Sequence, residues 1–380
     1  MRSSVRAMVV VCGIVLGLAP AAMADGPGDG TPIAVTLGDS AISGEAGRWA
    51  GNTNNSYTRV DALGPTAYWD TASGESIPGC HRSKAAQAHI FDAPIPGANL
   101  ACSGARTYTT GTGSGETFKP GIDFYSDASG RKGQALALQQ YASTHNVRAV
   151  DVMIGANNYG FAAIVERCVT NWLTSPSWWK NYCSDDSDMT SRFTAARQAQ
   201  ETTNVKEALL RVRAAMTNAG YADSQYGETG WSRQSVGGCG VWNRDANWAL
   251  DTVVAAMYGS VRTAAAQAGV PVLDLQNALD GRRRCEMGVG LLEETGVPTW
   301  QSPGAVGRSE WVSQIRTATT IVGPYHLQEG SHASYWGQLA MRNCLRLAYA
   351  AGSGFRGARC VRHANGLNDR GEPRMGLQSP

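Results

Sequence analysis

Three short apolar runs, alternating with long alanine-rich stretches, constrain this chain more than any other feature. Pro32 to Leu37 is rich in β-branched residues and gives way to Gly38, Asp39 and Ser40. Val147 to Ile154 stops at Gly155, and Val270 to Leu275 is the third run. Apolar segments of this length, bounded by turn residues, read as buried strands. Around them Gln134 to Ser143, Thr190 to Asn218, Asn247 to Gln267 and His332 to Ala351 read as helices; Leu209, Leu210, Val212 and Met216 show the spacing. Strands alternating with helices predict an α/β chain, a three-layer α/β/α sandwich on a mainly parallel sheet. The alternation fails once. Tyr221 to Val241 contains no apolar run, so the sheet is expected to loop there or to be one strand short.

The first residues read as an export leader. Arg2 and Arg6 precede the apolar run Ala7 to Pro20, and Ala22, Met23 and Ala24 supply small residues before a cut at Asp25. The apolar stretch is shorter than the roughly 20 residues a spanning helix requires, so no stable membrane insertion is expected. The expected division is therefore a leader over 1–24, one domain over 25–360 and a polar, loosely held tail over 361–380.

Cysteine usage agrees with export. Beyond Cys12 in the leader stand Cys80, Cys102, Cys168, Cys183, Cys239, Cys285, Cys344 and Cys360. An even number in an exported chain points to disulfides, and their clustering favours pairing each with its nearest neighbour in that order. No CxxC or HxxxH spacing supports a metal site. A net charge of +2 gives no field that would favour nucleic acid, and an apolar fraction of 43% with 11 Trp argues against disorder.

In a parallel α/β sheet, ligands bind beyond the carboxyl ends of the strands, which draws attention to the residues that follow each run. Ser40 has the position of an exposed nucleophile, though taken alone it reads as a helix cap. Gly155 to Asn158 offers an amide that could donate to an oxyanion, or merely an Asx-turn. Asn99 to Gly104 offers a backbone N–H beside a residue without a side chain, as a plain turn would. The histidines are His81, His89, His145, His326, His332 and His363. His332, just before the last helix, can be delivered to the same sheet edge as a base, with His326 its rival on position.

Taken together and in order, GDSxxSGE at 38–45, NLACSGA at 99–105, GANN at 155–158 and HxxxxGQxA at 332–340 resemble the four blocks of the SGNH, or GDSL, hydrolases. GCHRS at 79–83 strengthens the likeness to the family's secreted, disulfide-containing esterases and lipases. The resemblance implies Ser40 as nucleophile, with an oxyanion hole made by Ser40 and Gly104 N–H groups and the Asn157 amide. It implies His332 as base, because Gly337 follows five residues later. The family's acid falls at Glu329, acting through its carboxylate or its main-chain oxygen, and Ala333 and Ser334 replace the family's Pro and Asn. Related secreted members carry a strand where GYADSQY here runs almost into GGCG.

The implied activity is hydrolysis of carboxylic esters through an acyl-enzyme by a secreted, extracellular serine esterase or lipase. The implied partner is a small-molecule or lipid ester, with no cofactor, no metal and a monomeric chain. The alternative from another class is a secreted, non-catalytic binding protein on the same scaffold. Trp172, Trp178, Trp179 and Tyr182 suit either core packing or a lipid-facing entrance.

Overall fold

The computed structural model describes residues 27–28, 30–90, 97–221, 227–231, 242–286, 288–316 and 323–379. The leader over 1–24 and Cys239 lie outside the described residues. The first run forms β1 (Pro32–Gly38) and passes at once into the single turn α1 (Ser40–Ser43). There follow β2 (Ala98–Asn99), α2 (Gln134–Ala142), β3 (Asn146–Met153), α3 (Phe161–Thr174), α4 (Ser187–Ser191) and α5 (Ala195–Asn218). Then come β4 (Gly227–Trp231), α6 (Asn243–Trp248), a π-helical stretch over Ala249–Val254, α7 (Ala255–Ala268) and β5 (Leu273–Asp274). The chain closes with α8 (Ala305–Arg308), α9 (Tyr335–Ala350), β6 (Ala358–Leu367) and β7 (Pro373–Gln378).

β1 to β4 make one parallel sheet in the order β2-β1-β3-β4, with Val35 opposite Val150 and Leu37 opposite Val152. Alternate side chains leave the sheet on opposite faces. Val35, Leu37 and Val152 meet Leu138 of α2, Leu209, Val212 and Met216 of α5, and Val261 of α7. Ala34 and Met153 belong to the other side, where Trp336, Leu339, Ala340 and Leu345 of α9 pack with Leu273 and Met375. The strands lie between these two layers, as the alternation required.

Three expectations are corrected. The sheet is not one strand short at 221–241: Gly227–Trp231 pairs with β3 from Ala149↔Gly227 to Met153↔Trp231. A parallel ladder is made by backbone N–H and C=O groups, so GETGW completes it without an apolar run. The third apolar run pairs with β6 in a separate three-stranded sheet, β5-β6-β7, rather than joining the main one. Nor is 361–380 a loose tail. β6 and β7 form an antiparallel hairpin, and Ala358, Cys360, Pro373 and Met375 are buried at alternate positions among polar neighbours. Buried Glu372 accepts from Arg346 Nη2 of α9 at 2.8 Å, and Met375 N–H donates to Asn343 Oδ1 at 3.0 Å.

Disulfides join Cys80 to Cys102, Cys168 to Cys183 and Cys344 to Cys360, each the expected neighbour pair. Cys285 is also disulfide-bonded. No helix among the described residues is long and apolar enough to cross a membrane.

Candidate active site

The end of β1 is shaped by a close approach to β3. A Cβ on Gly38 (φ +132°) would stand 1.9 Å from the Met153 carbonyl oxygen, so no other residue fits there. Gln134 clamps the same residue: Gly38 N–H donates to Gln134 Oε1 at 2.7 Å, and Gln134 Nε2 donates to Gly38 O at 3.0 Å. Asp39, not Ser40, caps α1, its Oδ1 accepting from Ala41 N–H at 3.1 Å. That leaves the Ser40 hydroxyl for another partner.

The partner is His332. Its Nε2 lies 2.7 Å from Ser40 Oγ, although the two residues are 292 positions apart. The imidazole stands on the loop before α9, held where Ser313 N–H donates to His332 O at 2.8 Å and Ser334 N–H donates to Trp311 O at 2.8 Å. A Cβ on Gly337 would come within 2.4 Å of that same Trp311 oxygen. The glycine five residues after the histidine therefore lets α9 lie close to Trp311, beside the loop that carries the imidazole.

Glu329 does not take the place the family pattern gives an acid. The acceptor at His332 Nδ1 is the Gly330 carbonyl, 3.1 Å away. With its Nδ1–H donating there, the ring presents Nε2 as an acceptor to the serine. The Glu329 carboxylate, only 3% exposed, is taken by three other donors. Tyr68 OH donates to Oε1 at 2.6 Å, while Trp49 Nε1 and the His326 N–H donate to Oε2 at 2.8 and 2.9 Å. Its main-chain oxygen accepts from the His332 backbone N–H at 3.2 Å. Burial raises the pKa of Glu329, reinforced by the charge of Glu45 and opposed by the hydrogen bonds from His326, Tyr68 and Trp49. His326, the rival base, donates its backbone N–H here and is no partner of Ser40.

The residues expected to supply oxyanion donors sit on segments tied to one another. Cys102 N–H donates to Gly38 O at 3.0 Å, which seats the loop after β2 against the end of β1. Gly104 (φ +82°) follows in that loop, with the aliphatic stem of Lys119 3.5 Å from where a Cβ would be. Asn157 lies in the turn after β3, and its Nδ2 donates to Ala105 O at 2.9 Å. Asn158 beside it is a brace: its Oδ1 accepts from Thr107 N–H at 3.1 Å and its Nδ2 donates to Glu201 Oε2 at 2.7 Å.

Sequence reasoning missed the second rank of ionic groups. Glu45, fully buried, places Oε1 2.8 Å from His81 Nδ1. Burial pushes the Glu45 carboxyl up, but the hydrogen bond and charge of His81, with the charge of His332, outweigh it and hold it below the ordinary value. Lys119 Nζ donates to Gly79 O at 2.6 Å, and burial lowers its pKa against the pull of Glu45 and Glu75. The only available signal lay in SGE and GCHRS, whose Glu and His carry no catalytic role in the four-block pattern.

The loop after α3 departs from core packing. Trp178 is 81% and Trp179 73% exposed, on a segment stapled by Cys168–Cys183. Beyond it the chain returns to the turn after β3, where Arg192 Nη1 donates to Tyr159 O at 3.4 Å and Arg197 Nη2 to Asn158 O at 2.9 Å.

No protein-family model and no curated protein matches the chain. Among solved structures it is similar to an extracellular lipase from Streptomyces rimosus, at 17% identity and a TM-score of 0.42 over 84% of this chain and all of that one. A phospholipase A1 from Streptomyces albidoflavus gives 17% identity and a TM-score of 0.43 over 83% of this chain and 98% of that one. A carbohydrate acetylesterase from Sinorhizobium meliloti gives 10% and 0.32 over 70% of this chain and 94% of that one. Likenesses this distant leave the chemistry to be argued from the residues themselves.

Proposed function

We propose that this chain is an exported serine ester hydrolase of the SGNH kind, acting on carboxylic esters through an acyl-enzyme on Ser40. The observation that carries the reading is the 2.7 Å contact between Ser40 Oγ and His332 Nε2, at the carboxyl end of a parallel sheet. In the first step Ser40 Oγ bonds to the ester carbonyl carbon while its proton passes to Nε2. The carbonyl oxygen becomes an anion facing the N–H groups of Ser40 and Gly104 and the Asn157 amide. Collapse breaks the bond to the alcohol oxygen, which leaves with the proton from His332. Water then repeats the sequence on the acyl-serine, releasing the acid and restoring the hydroxyl.

The Gly330 carbonyl is a neutral orienter. It fixes the tautomer and the ring plane without adding a full charge next to the imidazolium. The disulfides support a location outside the reducing cytoplasm.

The test is turnover of short- and medium-chain p-nitrophenyl esters together with labelling by a fluorophosphonate probe. Turnover and labelling in the native chain, both abolished in Ser40→Ala, are expected. A folded native chain that shows neither is not an ester hydrolase.

A further inference from the structure

The histidine of GCHRS plays no part in the steps above, yet it stands where all three segments of the site meet. Its Nδ1 is 2.8 Å from Glu45 Oε1, and the Glu45 backbone N–H donates to Ser40 O at 3.1 Å, one turn beyond the nucleophile. The preceding residue, Cys80, is bridged to Cys102 and accepts from Ser103 N–H at 3.0 Å, next to Gly104. The amide nitrogen Nε2 of Gln328, four residues before the base, rests against the His81 ring, 3.0 and 3.2 Å from its two nitrogens. The ring stacks on Tyr68 at 4.5 Å and 13°, and the Tyr68 hydroxyl donates to Glu329. The backbone of His81 is left-handed (φ +50°), a conformation uncommon outside glycine and held only where surrounding contacts fix it.

We propose that His81 is a positioning residue of this site, a ring clamped by Glu45 that holds the base loop and the oxyanion loop onto the nucleophile's turn. The proposal rests on the ester-hydrolase reading. Three carboxylates act on the ring from different segments: Glu45 beyond α1, Glu75 on its own loop with Oε1 3.6 Å from Nε2, and Glu329 on the base loop. Tyr68, Gln328 and His326, the last with its ring centre 5.3 Å away, complete the surroundings. Burial lowers the pKa of His81, but the hydrogen bond and charge of Glu45, with Glu75 and Glu329, raise it overall. A raised value means that the charged clamp is intact below the ordinary histidine range and is lost as pH rises through the raised one.

The experiment compares the native chain, His81→Gln and Gln328→Ala by kcat and KM on a p-nitrophenyl ester across pH, with melting temperature and fluorophosphonate labelling. His81→Gln should lower kcat about 10- to 100-fold near neutral pH, as small misplacements of catalytic groups do, with KM little changed. The native chain should show an alkaline fall in kcat, and His81→Gln should remove it. Gln328→Ala, at an exposed position, should lower kcat in the same direction with the melting temperature unchanged. A folded His81→Gln that keeps native kcat and pH profile overturns the proposal. So does one whose kcat falls only in step with its melting temperature while the profile stays native. If His81→Gln does not fold, Gln328→Ala decides, and native kcat there refutes the clamp. Absence of both turnover and labelling in the native chain would remove the hydrolase reading itself, and the proposal with it.

Discussion

Glu329→Gln separates a side-chain acid from a main-chain one. Where a carboxylate holds the catalytic imidazole, its conversion to an amide lowers kcat about 10,000-fold, because the wrong tautomer is favoured. Here Nδ1 faces the Gly330 carbonyl, so the tautomer is fixed without Glu329, and kcat should fall less than about 10-fold. The cost should appear in stability. Three donors converge on this carboxylate, from Tyr68, Trp49 and His326, and an amide offers one acceptor oxygen in place of two. Leaving one or two of those hydrogen bonds unmade costs about 1–3 kcal/mol, partly offset because a buried charge is removed. With an unfolding entropy of roughly 2 cal/mol/K per residue, that lowers Tm by about 1–4 °C for a domain of this length.

The pH dependence has a defined sign. Glu329 has its pKa raised in the folded state, so the folded chain binds more protons than the unfolded one between the ordinary value and the raised value. This group therefore removes stability as pH climbs through that window and changes nothing above it. Glu329→Gln should flatten that segment of a plot of Tm against pH. Steady-state kinetics and thermal melts across pH measure both effects. A fall in kcat near 1,000-fold with native Tm would show that Glu329 acts on the base after all.

Asn157→Ala should lower kcat about 100- to 1,000-fold with KM nearly unchanged, the usual result of losing one oxyanion donor; native kcat would remove the amide from the hole. Gly337→Ala should displace the base, since its Cβ would meet Trp311 O at 2.4 Å; a loss of about 1–3 kcal/mol in chemical denaturation and a fall in kcat are expected, and native values in both would contradict the packing. Trp178→Ala with Trp179→Ala should leave stability within about 0.5 kcal/mol, because both rings are exposed; a larger loss would mean that they are packed in solution.

The sequence announced β1 and β3 as apolar runs bounded by turn residues and α2, α5 and α9 as helical stretches, whereas Ser40 and His332 were paired by the four ordered blocks of the family resemblance. β4 was invisible for a physical reason: GETGW is placed by the backbone ladder of β3, which leaves no trace in residue type. The hairpin was hidden by dilution, four inward residues being spread among polar ones. Glu329 misled because residue type and spacing suited an acid, whereas the direction of its carboxylate depends on Tyr68 and Trp49, some 260 and 280 positions earlier in the chain. Glu45 and His81 went unread because neither is informative until folding brings them to 2.8 Å.

The hairpin of β6 and β7 bears on how the protein should be handled. Cys360 stitches it to Cys344, in the middle of the helix whose leading end presents His332, and Met375 caps the same apolar layer. Trimming the polar-looking last twenty residues in the hope of a tidier crystal would uncover the back of that helix and invite clumping. An affinity handle is better joined past Gln378, where the final strand has already run its course.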